Sequence, residues 1–141
     1  MECVVYARVR PLVSERAIQA TVAYVLTHEK KPAGVVSVHS IGDQRMRTLN
    51  RLHRGMDKTT DVLSFSALEG NWVGKGDEVG DIFISVPQIV RQAKVWEVAP
   101  KEEFVRMLVH GLLHALGYDH MTKAEALIMF PKQEKYVKAC L

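Results

Sequence analysis

The chain is poor in cysteine and in long apolar runs, and each shortage excludes something. Its two cysteines, Cys3 and Cys140, stand at opposite ends without CxxC spacing, so no disulfide framework or cysteine metal knuckle is written into the sequence. Two reduced thiols in a cytoplasmic protein are expected. No stretch approaches the ~18 consecutive apolar residues of a membrane span. Glu2, Arg8 and Arg10 interrupt the first segment, which does not read as a signal peptide. No membrane partner is expected. Internal repeats, low-complexity tracts and Pro/Ser-rich linkers are also missing. The net charge is only +3, which permits a nucleic-acid partner without demonstrating one.

What is present has the balance of an ordinary globular protein: 141 residues, 48% hydrophobic and 25% charged. That length fits one domain, residues 1–141, able to bury a core without staples. Residues 2–9 mix β-branched and aromatic residues and predict a strand. Ser14 caps a helix in which Ile18, Thr21, Val22, Val25 and Leu26 recur at three and four residues, ending at Lys30-Lys31-Pro32. Residues 34–41 and 62–65 predict two more strands, with a short helix between them that Asp43 caps and Gly55 stops. Glycines 70, 74, 76 and 80, with Asn71 and Asp77, read as a hairpin-like loop before a fourth strand over 81–85. Pro87 and Pro100 each open a helix, the second with Phe104, Leu108, Leu112 and Ala115 on one stripe. Thr122 and Glu125 form a capping box for a last helix, which Pro131 is expected to kink or divide. Strands separated by helices predict an α+β fold: a mixed four-stranded sheet with helices packed on it, its third and fourth strands antiparallel.

The chemistry concentrates in residues 110–120, HGLLHALGYDH. On a helix His110 and His114 lie one turn apart on one face, so both imidazoles can reach a single ion. Gly117 stands where that helix should end, and glycine takes the left-handed conformation that lets the chain turn and bring His120 round. A lone histidine is usually a surface or satisfied core residue. Here three of six fall within eleven positions at HxxxH spacing. Three imidazoles leave one position of a tetrahedral Zn²⁺ open to water, the layout of a catalytic site. Imidazoles also suit nickel, copper and iron. Zinc proteases place a glutamate base after the first histidine; here that position is Gly111, which disfavours peptide hydrolysis. Asp119 either orients a ligand or water or faces solvent in the turn.

A second segment, residues 49–65, reads LNRLHRGMDKTTDVLSF, and with Arg45 and Arg47 just before it concentrates positive charge at Arg51, Arg54 and Lys58. Guanidinium groups pair well with phosphate, although arginines on a helix are more often simply solvated.

Together these segments resemble the YbeY endoribonuclease family. HGLLHALGYDH is similar to its HGxLHLxGYDH signature, differing at Ala115, and LNRLHRGMDKTTDVLSF to its LNxxYRxxDxPTDVLSFP segment. Gly80-Asp81-Ile82 followed by a serine, and Met129-Phe130 with Gln133-Glu134, extend the likeness over nearly the whole chain. The resemblance implies a small zincin-like α+β domain, His110, His114 and His120 as zinc ligands, and Arg54 as the catalytic arginine acting on the scissile phosphate. It further implies a metal-dependent endoribonuclease that cleaves single-stranded RNA in ribosomal RNA maturation, at the 3′ end of the small-subunit RNA, and in ribosome quality control. Whether a small-subunit ribosomal protein or an assembly GTPase recruits it stays open. His53, Thr59 and Ser66 replace the family's tyrosine, proline and proline, so the Arg54 loop is expected to be less rigid.

The expected chemistry is phosphodiester hydrolysis at the ion, with Arg54 neutralising charge on the phosphoryl oxygens. The nucleophile is either hydroxide or the RNA's own 2′-hydroxyl, and only the second leaves a cyclic phosphate. Two rivals stand beside this reading: a non-catalytic ribosome-assembly factor whose metal only holds the fold, and a metalloprotease.

Overall fold

The computed structural model describes residues 1–69 and 76–141. Strand β1 (Glu2–Ala7) leads through helix α1 (Glu15–His28) to β2 (Val35–Ile41), and helix α2 (Asp43–Arg54) leads to β3 (Val62–Ser66). Strand β4 (Glu78–Ser85) follows, then helices α3 (Val86–Trp96), α4 (Pro100–Ala115) and α5 (Lys123–Cys140). The strands form one mixed sheet in the order β1-β2-β4-β3, with β1–β2 and β2–β4 parallel and β3–β4 antiparallel. The α+β expectation holds. Within the glycine-rich stretch, residues 70–75 lie outside the described residues.

The period-2 pattern of each strand decides which face is covered. Cys3 on β1, Val36 and Val38 on β2, and Ile82 and Ile84 on β4 point into the main core with Ile18, Val22, Val25 and Leu26 of α1. Helix α4 lies in the middle of that core. Phe104, Leu108, Val109, Leu112 and Leu113 are fully buried, and Val105 and Ala115 nearly so, because the sheet, α1, α3 and α5 surround the helix. Each such side chain contributes roughly 1.5–3 kcal/mol by leaving water. On the other face of the sheet α2 covers only one end, packing Met46 and Leu49 against Ile41, Leu63, Phe65 and Phe83.

Two local expectations change. Gly42, not Asp43, is the N-cap of α2. The Asp43 carboxylate instead accepts hydrogen bonds from Ser85, Thr59 and Arg91, and so ties α2 to the 59 loop, the end of β4 and α3. Helix α5 is not divided at Pro131 but continues through it from Lys123 to Cys140. Proline denies one backbone bond to the carbonyl of Leu127, but Leu127 is exposed, so water can take its place, while Met129, Gln133, Tyr136 and Val137 hold both halves against the core. Cys3 and Cys140 are both free thiols. No helix among the described residues is long and apolar enough to cross a membrane.

Candidate metal centre

Helix α4 delivers the first two histidines. Its C-terminus closes in a Schellman turn: the Gly117 amide donates to His114 O and the Tyr118 amide to Leu113 O, each at 3.0 Å. Gly117 sits at φ +105°, a conformation that L side chains rarely adopt. The chain therefore reverses within three residues and returns His120 to the helix. The imidazole ring centres are 4.6 Å apart for His110–His114, 5.0 Å for His114–His120 and 5.3 Å for His110–His120. One nitrogen from each ring lies within 4.8 Å of the others. The three histidines singled out by their spacing do converge.

The turn is anchored from outside. Tyr118 donates its hydroxyl to Glu29 at 2.6 Å, Lys132 donates to both Glu29 and Tyr118 at 2.9 Å, and Tyr136 also donates to Glu29. These bonds join the end of α1, the turn and α5 two residues before His120. Asp119 accepts from the His120 amide at 2.8 Å, which makes it a turn-forming residue here.

The imidazoles suit a cation. Burial holds His110 and His114 below their ordinary pKa, and repulsion from neighbouring imidazoles acts the same way on both, which favours the neutral ligand form. His110 Nδ1 donates to Gln133 Oε1 at 2.6 Å, which leaves the lone pair on Nε2. Gln133 is turned this way because its own amide group donates to Glu134, which Arg106 holds. Local spacing gives no hint of this partner, 23 residues further on.

The cluster opens into a cleft of about 300 Å³ between α4 and β3, lined also by Arg54, Asp61, Ser64 and Gly111. Arg54, the last residue of α2, is placed by the left-handed Gly55 beyond it. It donates to Ser64 O at 2.9 Å and lies over the Phe65 ring at 5.1 Å. The three replacements in this segment all find partners. Thr59 bonds Asp43, His53 packs edge-on to Phe65, and Ser66 donates to Ala115 O at 2.6 Å. Asn50 also holds Lys58 O at 2.8 Å, which ties the loop after Arg54 back to α2. The positive charge is not all free, since Arg47 is paired with Asp57.

Gly111 explains the absent protease base in physical terms. A Cβ there would stand 2.8 Å from Ile82 and 3.1 Å from Val62, so α4 packs on the sheet only because the position is bare. A glutamate has no room.

Fold and site thus define a class: an α+β protein with three histidines converging beside an arginine-bearing cleft. The model of the family described as endoribonuclease YbeY matches residues 8–140. The chain is 43% identical over 116 residues to an endoribonuclease YbeY of Geobacillus thermodenitrificans, covering 76% of this chain and 74% of that protein. It is 35% identical over 124 residues to that of Persephonella marina, covering 87% and 81%. It belongs to the endoribonuclease YbeY family. The solution structure of TM1509 from Thermotoga maritima shares the fold, with a TM-score of 0.70 at 22% identity over 98% of this chain and 88% of that one.

Proposed function

We propose that the chain is a metal-dependent endoribonuclease, one catalytic domain over residues 1–141, that cleaves single-stranded RNA during ribosomal RNA maturation and quality control. His110, His114 and His120 hold one zinc-type ion, and Arg54 is the catalytic arginine. The observation that carries this is the convergence of three ring nitrogens within 4.8 Å, with no fourth histidine, cysteine or carboxylate joining the group among the described residues. Such an ion supplies Lewis acidity and lowers the pKa of water to about 7. The protein's own share is to keep His110 and His114 neutral, to fix the His110 tautomer through Gln133, and to offer a guanidinium across the cleft. Arg54 already bonds a carbonyl oxygen, so exchanging that acceptor for a phosphoryl oxygen needs only a side-chain movement. Ribosomal RNA maturation places the enzyme in the cytoplasm. The blocked position 111 speaks against peptide hydrolysis.

The test is metal analysis of the purified protein, with cleavage of a single-stranded RNA measured before chelation, after it, and after restoring zinc. Activity should vanish and return. A folded His114→Ala protein that binds no ion yet still cleaves RNA would sink the proposal. A protein that never cleaves RNA and unfolds on chelation would point to the assembly-factor rival.

A further inference from the structure

The sheet face that α2 leaves uncovered carries a chain of rings. Tyr6 on β1, His39 on β2 and Phe83 on β4 are direct cross-strand partners in register. Tyr6 and His39 stack at 4.9 Å and His39 and Phe83 at 4.1 Å, both within 16° of parallel. Phe83 then meets Phe65 edge-on at 5.7 Å, and Phe65 is the ring under Arg54. The rings therefore run from beneath Arg54, which reaches the cleft around the β3 edge, across the opposite face of the sheet to its far edge, three strand spacings or about 14 Å. At that far end lies a hollow of about 230 Å³, lined by Tyr6, Arg8, His39, Ile41, Arg45 and Phe83. Tyr6 is 51% exposed. Neither Arg8 nor Arg45 has an acidic partner among the described residues, whereas the nearby Asp81 is engaged by His39 at 3.1 Å.

A core needs no unpaired guanidinium groups, and a solvated surface needs no ordered rings. Both together suit a ligand that is flat at one end and anionic at the other. We propose that this hollow is a nucleotide subsite: Arg8 and Arg45 hold a phosphate, and the exposed Tyr6 stacks a base, of the single strand that continues beyond the cleft. The subsite rests on the reading of the chain as an RNA-cleaving enzyme, and extends it by assigning a path to the flanking RNA. Stacking tolerates any base, so the subsite measures strand length rather than sequence. A base-paired strand has no free ring face to offer.

The experiment is equilibrium binding by the full chain with its metal in place, to strands made uncleavable by phosphorothioate linkages and 2′-O-methyl groups. Two single-stranded RNAs are compared, a short one that fills the cleft alone and a long one that also reaches the hollow. Wild type should prefer the long RNA. Tyr6→Ala should weaken binding of the long RNA about tenfold and leave the short one unchanged. Arg8→Gln with Arg45→Gln should flatten the salt dependence for the long RNA by about 0.7 for each phosphate the protein no longer neutralises. The charge-keeping pair Arg8→Lys and Arg45→Lys should retain most of that dependence, which separates a missing charge from a damaged fold. Equal affinity of wild type for both RNAs would overturn the subsite, as would equal losses on both RNAs in the folded variants. The same holds if the variants bind RNA normally and lose only a protein partner. Cleavage of the short RNA scores the enzyme reading separately.

Discussion

His110 gives its Nδ1 proton to a glutamine oxygen 2.6 Å away on a different helix, and that glutamine, Gln133, is buried. The bond decides which nitrogen of His110 is left to bind a cation. Gln133→Leu should therefore weaken zinc binding about 10–100-fold, measured by competition with a chromophoric chelator. Nitrogen-15 spectra of the metal-free protein should meanwhile show His110 losing its single-tautomer signal. Unchanged affinity would show that the ring is held by packing alone.

Removing the guanidinium tests the other wall of the cleft. Arg54→Ala should bind zinc normally and melt close to wild type, because Arg54 makes one hydrogen bond to the strand. RNA cleavage should fall about 10²–10³-fold, the cost of losing one preorganised electrostatic donor. Arg54→Lys should recover only part of that, since a point charge lacks the paired donor geometry. Full activity in Arg54→Ala would remove the residue from the mechanism.

Position 111 has no spare volume. Gly111→Ala should destabilise the fold by roughly 1–3 kcal/mol, as Ile82 and Val62 are forced aside. Gly111→Glu, which recreates the protease pattern in sequence, should be poorly folded and should not digest casein. Denaturant melts and a peptidase assay read both. A stable, proteolytic Gly111→Glu protein would contradict the packing described.

Acid should act through Glu29. Burial alone would raise its pKa, but hydrogen bonds from Tyr118, Tyr136 and Lys132, with the lysine's charge, outweigh that and hold it below the ordinary 4.5. In the unfolded chain the carboxyl takes up its proton first as pH falls. The stability this group contributes is thus complete above pH 4.5 and is lost on descending towards its lower folded value. Glu29→Gln should be less stable than wild type at neutral pH, and the gap should narrow below pH 4.5 in thermal melts taken across the acid range. A constant gap would mean that the carboxylate charge is irrelevant to the turn it holds.

The parts of this molecule legible in sequence are those whose cause is local. HxxxH spacing places two imidazoles on one helical face whatever surrounds them, and Gly117 permits the reversal that returns His120, although the anchor of that turn at Glu29 is not local. Alternation marked the strands, although β4 begins at Glu78 and takes in Gly80, which reads as loop in sequence, and side-chain caps marked the starts of α1 and α5 for the same reason. What stayed hidden depends on distant partners. Asp43 looks like a helix cap, yet its carboxylate serves Arg91, 48 positions later. Pro131 looks like a break, and burial of its neighbours overrides it. Gln133 bears on His110 only because α5 folds back over α4. The replacements Thr59 and Ser66 look like losses of rigidity in a family pattern, and only the fold reveals the oxygens they bond.

Strand β3 supports both halves of the site. Ser64 and Ser66 donate inward to Gly111 O and Ala115 O of the histidine helix, while the Ser64 carbonyl receives Arg54. Side chains alternate along a strand, so a slip of one residue would swing both serines away from the helix and Phe65 inward. Helix anchorage and the guanidinium's seat would fail together. Insertions between Asp61 and Ser66 should thus be tolerated far worse than their number suggests, because five residues act as the ruler that sets the span between imidazoles and arginine.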